Sequence, residues 1–278
     1  MPPDEAAPAA TGASLPSLAA SRKERPSFEL LCELVFRPVA HVVVAALLPL
    51  RVPPPAVVGA ATVTGLGAAV ELARGHLVAA AILLQVKTVL DNADGQLARA
   101  SGRVSVLGRY LDSESDLLVD AALFSAIGYL THQPVLAAIA FVVLALVLSA
   151  DFDLELLYRR ERGEAREARP DATGAARVLA RVYDVVYAPQ DRLIAWFVAR
   201  RLRGRSAEAR LAYHDRGTLL VLANLGLSTQ LAALGACLLL GHPAAYLWVV
   251  VACGASLVPL ELRRARRAKR ATYHPVNG

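Results

Sequence analysis

Residues 217–240 (GTLLVLANLGLSTQLAALGACLLL) and 243–260 (PAAYLWVVVACGASLVPL) contain no charged side chain. Crossing the ~30 Å hydrocarbon core of a bilayer takes about 20 mostly apolar residues per helix, so each run has the length of a membrane span. In lipid the backbone must satisfy its own hydrogen bonds, which a helix does within one segment. Residues 134–150 continue the pattern. Shorter apolar runs at 56–70, 76–90 and 117–131 have charges at or near one end and read as spans extended by polar turns. The expected fold is therefore all-α integral membrane, with six transmembrane helices plus an N-terminal interfacial amphipathic helix. That helix covers 28–50 and is stopped by Pro53, Pro54 and Pro55. A hydrophobic fraction of 55% agrees, being too high for an ordinary soluble domain of this length.

Residues 1–27 are rich in Ala, Pro and Ser without periodicity, which predicts a disordered cytoplasmic tail; the apolar stretch of a signal peptide is missing. The membrane domain is expected over 28–266, with a charged insertion at 159–215 and a basic tail at 267–278. The insertion should break near Arg169, Pro170, Asp171 and Gly174. After the break, Val182, Val185, Val186, Leu193, Ile194, Phe197 and Leu202 suit a helix packing on the membrane surface.

Among the three connections expected on one side (71–76, 131–133 and 241–242), only Arg74 is basic. Nearly all other basic residues, including Arg263, Arg264, Arg266, Arg267, Lys269 and Arg270, fall on the opposite side, which the positive-inside rule makes the cytoplasm. The chain is thus expected as a multi-pass protein of the cell (plasma) membrane with both termini cytoplasmic. Its net charge of +6 is accounted for by anionic membrane lipids and calls for no nucleic acid. Cys32, Cys237 and Cys253 are dispersed in apolar surroundings and read as small core or lipid-facing residues.

Residues 90–116 (LDNADGQLARASGRVSVLGRYLDSESD) hold four carboxylates in two pairs, Asp91 with Asp94 and Asp112 with Asp116. Spacings of three and four put each pair on one helix face. The two helices are antiparallel neighbours joined at the cytoplasmic surface, so the pairs can meet at one depth. Acids so close together need compensation by cations. An all-oxygen ligand set suits Mg²⁺ or Mn²⁺ rather than Zn²⁺. Two such ions can bridge phosphate oxygens and stabilise attacking and leaving oxygens, which is phosphoryl-transfer chemistry. Gly95 and Ala98 leave room for a nucleotide, Gly108 permits close approach one turn before Asp112, and Arg99 offers a planar cation to a diphosphate.

The pattern Asp91-x2-Asp94-Gly95-x2-Ala98-Arg99-x8-Gly108-x3-Asp112-x3-Asp116 resembles the signature of the CDP-alcohol phosphotransferase family at every fixed position. The resemblance implies a di-metal site of Asp91, Asp94, Asp112 and Asp116, holding two Mg²⁺ or Mn²⁺ ions. It also implies Asp116 as general base on the acceptor hydroxyl, a cytidine pocket shaped by Gly95, Ala98 and Gly108, and Arg99 supporting the motif or the diphosphate. The reaction implied takes a CDP-alcohol lipid donor, CDP-diacylglycerol foremost, and an acceptor alcohol or alcohol phosphate, and releases CMP. A homodimer is implied as well. Ser113 and Leu117 stand where a phosphatidylglycerophosphate synthase would have Pro and Lys, and Asp112 lacks the following His-Gly typical of choline or ethanolamine phosphotransferases. Arg159 and Arg216 are nominated for an anionic acceptor. The rival readings are a membrane prenyltransferase and a cation transporter whose acids line a pathway.

Two further expectations concern buried charge. Asp151, Asp153 and Glu155 are expected to be solvated. Lys87 lies one turn before Asp91 and is expected to pair with Asp120 or, failing that, with Asp91.

Overall fold

The computed structural model describes residues 25–164 and 185–273, together with Ser17 and Arg177. The tail over most of 1–27 and the break at 169–174 lie outside the described residues. Among the described residues every regular element is helical. A π-helical turn, Cys32–Phe36, runs directly into α1 (Arg37–Leu47). Then come α2 (Pro54–Ala73), α3 (Leu77–Ala100), α4 (Val106–Leu130) and α5 (Pro134–Glu161). Beyond residue 185 follow α6 (Ala188–Leu202), α7 (Ala207–Tyr213), α8 (Arg216–Ala223), α9 (Leu227–Leu239) and α10 (Pro243–Tyr273). Proline opens α2, α5 and α6 in the first turn, where its missing N–H costs no helix bond.

Among the described residues, four stretches are long and apolar enough to cross a membrane: α2, α5, the run Ala207–Leu239, and Pro243–Ala271 within α10. The six-span expectation counted α3 and α4 as well. These are 24 and 25 residues long, but each carries several charges along its length, Lys87 to Arg99 in α3 and Arg109 to Asp120 in α4. They are the helices that bear the acidic motif, so the residues that mark them as functional are the ones that lower their hydropathy.

The largest apolar core joins α2, α3, α4, α5, α9 and α10. Small residues let the backbones approach: Ala68 and Ala69 of α2, Ala80 and Ala81 of α3, and Ala137 and Ala140 of α5 are buried beside Leu72, Leu84, Leu123, Ile127 and Leu144. A second cluster joins Leu154 and Tyr158 of α5 to Val198 and Leu202 of α6, Tyr213 of α7, Leu219 of α8 and Ala268 of α10. This packing carries α10 unbroken past residue 266, and Arg264 lies 4.0 Å over the Tyr213 ring while donating to the Tyr213 carbonyl at 3.2 Å. The described part of the charged insertion, α6 and α7, therefore packs on the ends of α5 and α10.

The uncharged run 217–240 is not one straight helix. α8 stops at Ala223 and α9 starts at Leu227, with Asn224 and Gly226 in the turn. A side chain at Gly226 would bring a Cβ to 2.9 Å from the Ala223 carbonyl oxygen. At the other turn that matters here, Gly102 (φ +66°) closes α3 in the left-handed conformation glycine adopts without strain and sends the chain back as α4.

Candidate active site

α3 and α4 form the hairpin that carries the motif. The Ser105 hydroxyl caps α4 by accepting from the Gly108 amide at 3.0 Å, and a Cβ at Gly108 would stand 3.1 Å from that oxygen. Gly108 thus has a local role in the cap.

Lys87 is the hub of the acid cluster. It is 1% exposed, and its ammonium donates to Oδ2 of Asp91 on its own helix and to Oδ1 of Asp116 across the hairpin, the latter at 2.5 Å. The expected pairing with Asp120 is not made; Asp120 is buried without a hydrogen bond or ion pair among the described residues. The stem of Lys87 passes Gly65 of α2, where a Cβ would lie 3.3 Å from Lys87 Cγ and 2.6 Å from Val119 Cγ1. Gly65 therefore admits both the lysine stem and the close packing of α2 on α4.

Asp91, Asp112 and Asp116 line a cavity of about 250 Å³. Asp94 is buried beside them, and its Oδ2 has no hydrogen-bond partner. No group of three or more His, Cys, Asp or Glu among the described residues is drawn tightly enough together to enclose an ion. The donor chemistry nevertheless suits a hard divalent cation: all four ligands offered are carboxylates, and one buried oxygen is left unsatisfied. Arg99 folds back over Gly95, where a Cβ would stand 3.3 Å from Nη1. Ala98 is half-buried on the same turn.

Arg159 and Arg216 do not line this cavity. Arg159 pairs with Glu155 at 3.1 Å, and Arg216 Nε donates to the Tyr158 hydroxyl at 3.0 Å, at the end of α5.

The opposite wall was missed by sequence reasoning. Arg25, Glu29, Cys32, Glu33 and Arg37 complete the cavity from the N-terminal segment. This segment is a strap clamped by polar side chains along its length. Arg25 pairs with Asp151 and Glu155 of α5 at 3.3 and 3.2 Å. Asn224 accepts from the Leu30 amide at 2.9 Å and donates to the Phe28 carbonyl at 2.8 Å. The Cys32 thiol donates to Asn92 at 3.0 Å, and Gln96 donates to the Arg37 carbonyl at 3.2 Å. Burial pushes the Cys32 thiol up to about 11, which makes it an inert wall residue. Asp151, Asp153 and Glu155, expected to be solvated, are buried, with two of them holding Arg25. The available signal was the amide pair Asn92 and Gln96, spaced i, i+4 between the motif acids, where apolar residues would suit a helix facing only lipid.

A membrane helix bundle that gathers the partly buried Asp91, Asp112 and Asp116 with the buried Asp94 and Lys87 beside a polar cavity has the features of a functional site rather than of a structural core. The chain belongs to the CDP-alcohol phosphatidyltransferase family, whose model matches residues 50–256. That family is one of CDP-alcohol transferases and is generally dependent on divalent metal. Over 66 residues it is 41% identical to the "Bifunctional IPC transferase and DIPP synthase" of Thermococcus kodakarensis, covering 23% of this chain and 15% of that protein. Over 48 residues it is 50% identical to the "Archaetidylinositol phosphate synthase" of Pyrococcus horikoshii, covering 17% of this chain and 26% of that protein. The chain thus spans well under two thirds of either relative. No solved structure matches it.

Proposed function

We propose that the chain transfers the phosphate-linked lipid group of CDP-diacylglycerol, or a close CDP-lipid, to a hydroxyl of an inositol-phosphate-type acceptor, releasing CMP. The observation that carries this reading is the hairpin in which Asp91, Asp112 and Asp116 face one polar cavity beside the unsatisfied Asp94 oxygen. The acceptor class is supported by similarity to a relative named for archaetidylinositol phosphate synthesis.

Asp91, Asp94, Asp112 and Asp116 would hold two Mg²⁺ or Mn²⁺ ions. When bound, such ions neutralise the charge that develops on the diphosphate. Lys87 engages Oδ1 of Asp116 and leaves Oδ2 for the proton of the acceptor hydroxyl, so Asp116 serves as general base. The acceptor oxygen then attacks the phosphorus that carries the lipid alcohol, forming a phosphodiester as the bond to CMP breaks. Gly95, Ala98 and Gly108 keep the surface beside the acids low enough for the nucleotide, and Arg99 meets the diphosphate. Arg159 and Arg216 take the acceptor's phosphate at the outer edge of the site. The site and both ends of the chain face the cytoplasm across the cell membrane, and the working unit is a homodimer.

The test is incubation of the purified protein with radiolabelled CDP-diacylglycerol, Mn²⁺ and a panel of alcohols and alcohol phosphates, followed by lipid chromatography. A labelled lipid that appears only with inositol phosphate supports the proposal. Turnover with a different acceptor rejects the acceptor class and keeps the reaction.

A further inference from the structure

α6 packs on the protein with only one stripe, in which Val198 and Leu202 are buried against α5 and α7. Its outward stripe presents Leu193 (57% exposed), Trp196 (58%) and Phe197 (38%), spaced i, i+3, i+4. Two hydrogen bonds just before and inside its first turn fix its depth. The Tyr187 hydroxyl donates to the Ser113 carbonyl at 3.2 Å, next to Asp112, and Ser149 of α5 donates to Gln190 at 3.0 Å. The stripe therefore emerges at the level of the acidic hairpin, where the spans end. Arg192, Arg200, Arg203 and Arg205 have no acidic partner among the described residues, whereas Arg201 is committed to Glu261 at 3.2 Å. Arg200 also stacks 5.7 Å from the Trp196 ring. Aromatic side chains with adjacent arginines match the boundary between acyl chains and anionic headgroups.

We propose that the outward face of α6 docks on the bilayer surface and gathers anionic phospholipid headgroups there. The inference concerns the insertion and stands apart from the transfer reaction.

The chain has two tryptophans, so Trp248→Phe leaves Trp196 as the sole emitter. The full-length variant is reconstituted in vesicles of phosphatidylcholine and phosphatidylglycerol, with bromines high on the acyl chains of one lipid or the other. Trp196 should be quenched by both, and more by the brominated anionic lipid at equal mole fraction. Each arginine near the surface contributes up to roughly fivefold in local anionic enrichment. Arg192→Gln, Arg200→Gln and Arg203→Gln together should level the two signals while quenching persists. Equal quenching by the two lipids before those substitutions overturns the headgroup preference. Absence of quenching, with Trp248 still quenched in the reciprocal Trp196→Phe variant, overturns the docking. Trp196→Cys crosslinking between chains would likewise overturn it, by assigning the face to a second copy.

Discussion

Lys87→Met removes the ammonium between Asp91 and Asp116 and keeps an unbranched apolar stem beside Gly65. Lys87 is 1% exposed, whereas Asp91 and Asp116 keep 19% and 24% side-chain exposure toward the cavity, so the two carboxylates are left facing each other with only partial screening by water. Losing one partner of a buried ion pair typically costs about 3–5 kcal/mol, mostly the penalty of the charge left behind. At roughly 2–4 °C per kcal/mol for a large chain, the apparent Tm in detergent should fall by about 6–20 °C. Two companions sharpen the test. Adding Asp116→Asn to Lys87→Met should recover much of the loss, because it removes the stranded charge. Adding Asp120→Leu should recover none of it, because Asp120 is not the partner. Saturating Mn²⁺ should raise the Tm of Lys87→Met more than that of the parent, as a second cation takes over the compensation. Strictly additive losses in Lys87→Met with Asp116→Asn, measured by thermal unfolding without metal, would refute the reasoning.

Three other outcomes are expected. Asp116→Asn should abolish transfer while leaving CDP binding largely intact, whereas Asp91→Ala should weaken Mn²⁺ and CDP binding together; equal losses by calorimetry would contradict that division. Activity should require Mg²⁺ or Mn²⁺ and resist rescue by Zn²⁺ in a chelation and add-back assay, since the ligands offered are all oxygen. Asp215→Ala should cost about 1–2 kcal/mol in unfolding experiments, because Asp215 caps α8 at the Thr218 amide (3.2 Å) and pairs with Arg263 (3.0 Å).

The spans and the acids were legible because each is a local signal. Uncharged runs mark α5, α9 and α10, and three- and four-residue spacings put the motif acids on one face of α3 and of α4. Pairings were less legible. Lys87 and Asp120 sit at matching depths by rise along the helix, yet depth ignores rotation about the axis, and the flexible lysine stem reaches the two carboxylates that line the cavity. The strap was invisible for a related reason: its partners Asp151, Glu155 and Asn224 lie more than a hundred residues away, and none forms a spaced pattern with Arg25 or Phe28. The turn at Asn224 was likewise hidden, because a single amide in an apolar run changes hydropathy little.

The strap also sets an order of events during synthesis. Residues 25–37 are made before any of their docking partners, which are Asn92 and Gln96, then Asp151 and Glu155, and finally Asn224. Arg25 must therefore wait for α5, and the Phe28 carbonyl and Leu30 amide for Asn224, by which point about four fifths of the described residues have been made. The cavity is a seam between segments made far apart in time, and a chain stalled before Asn224 would carry every motif aspartate with its strap not yet fully clamped.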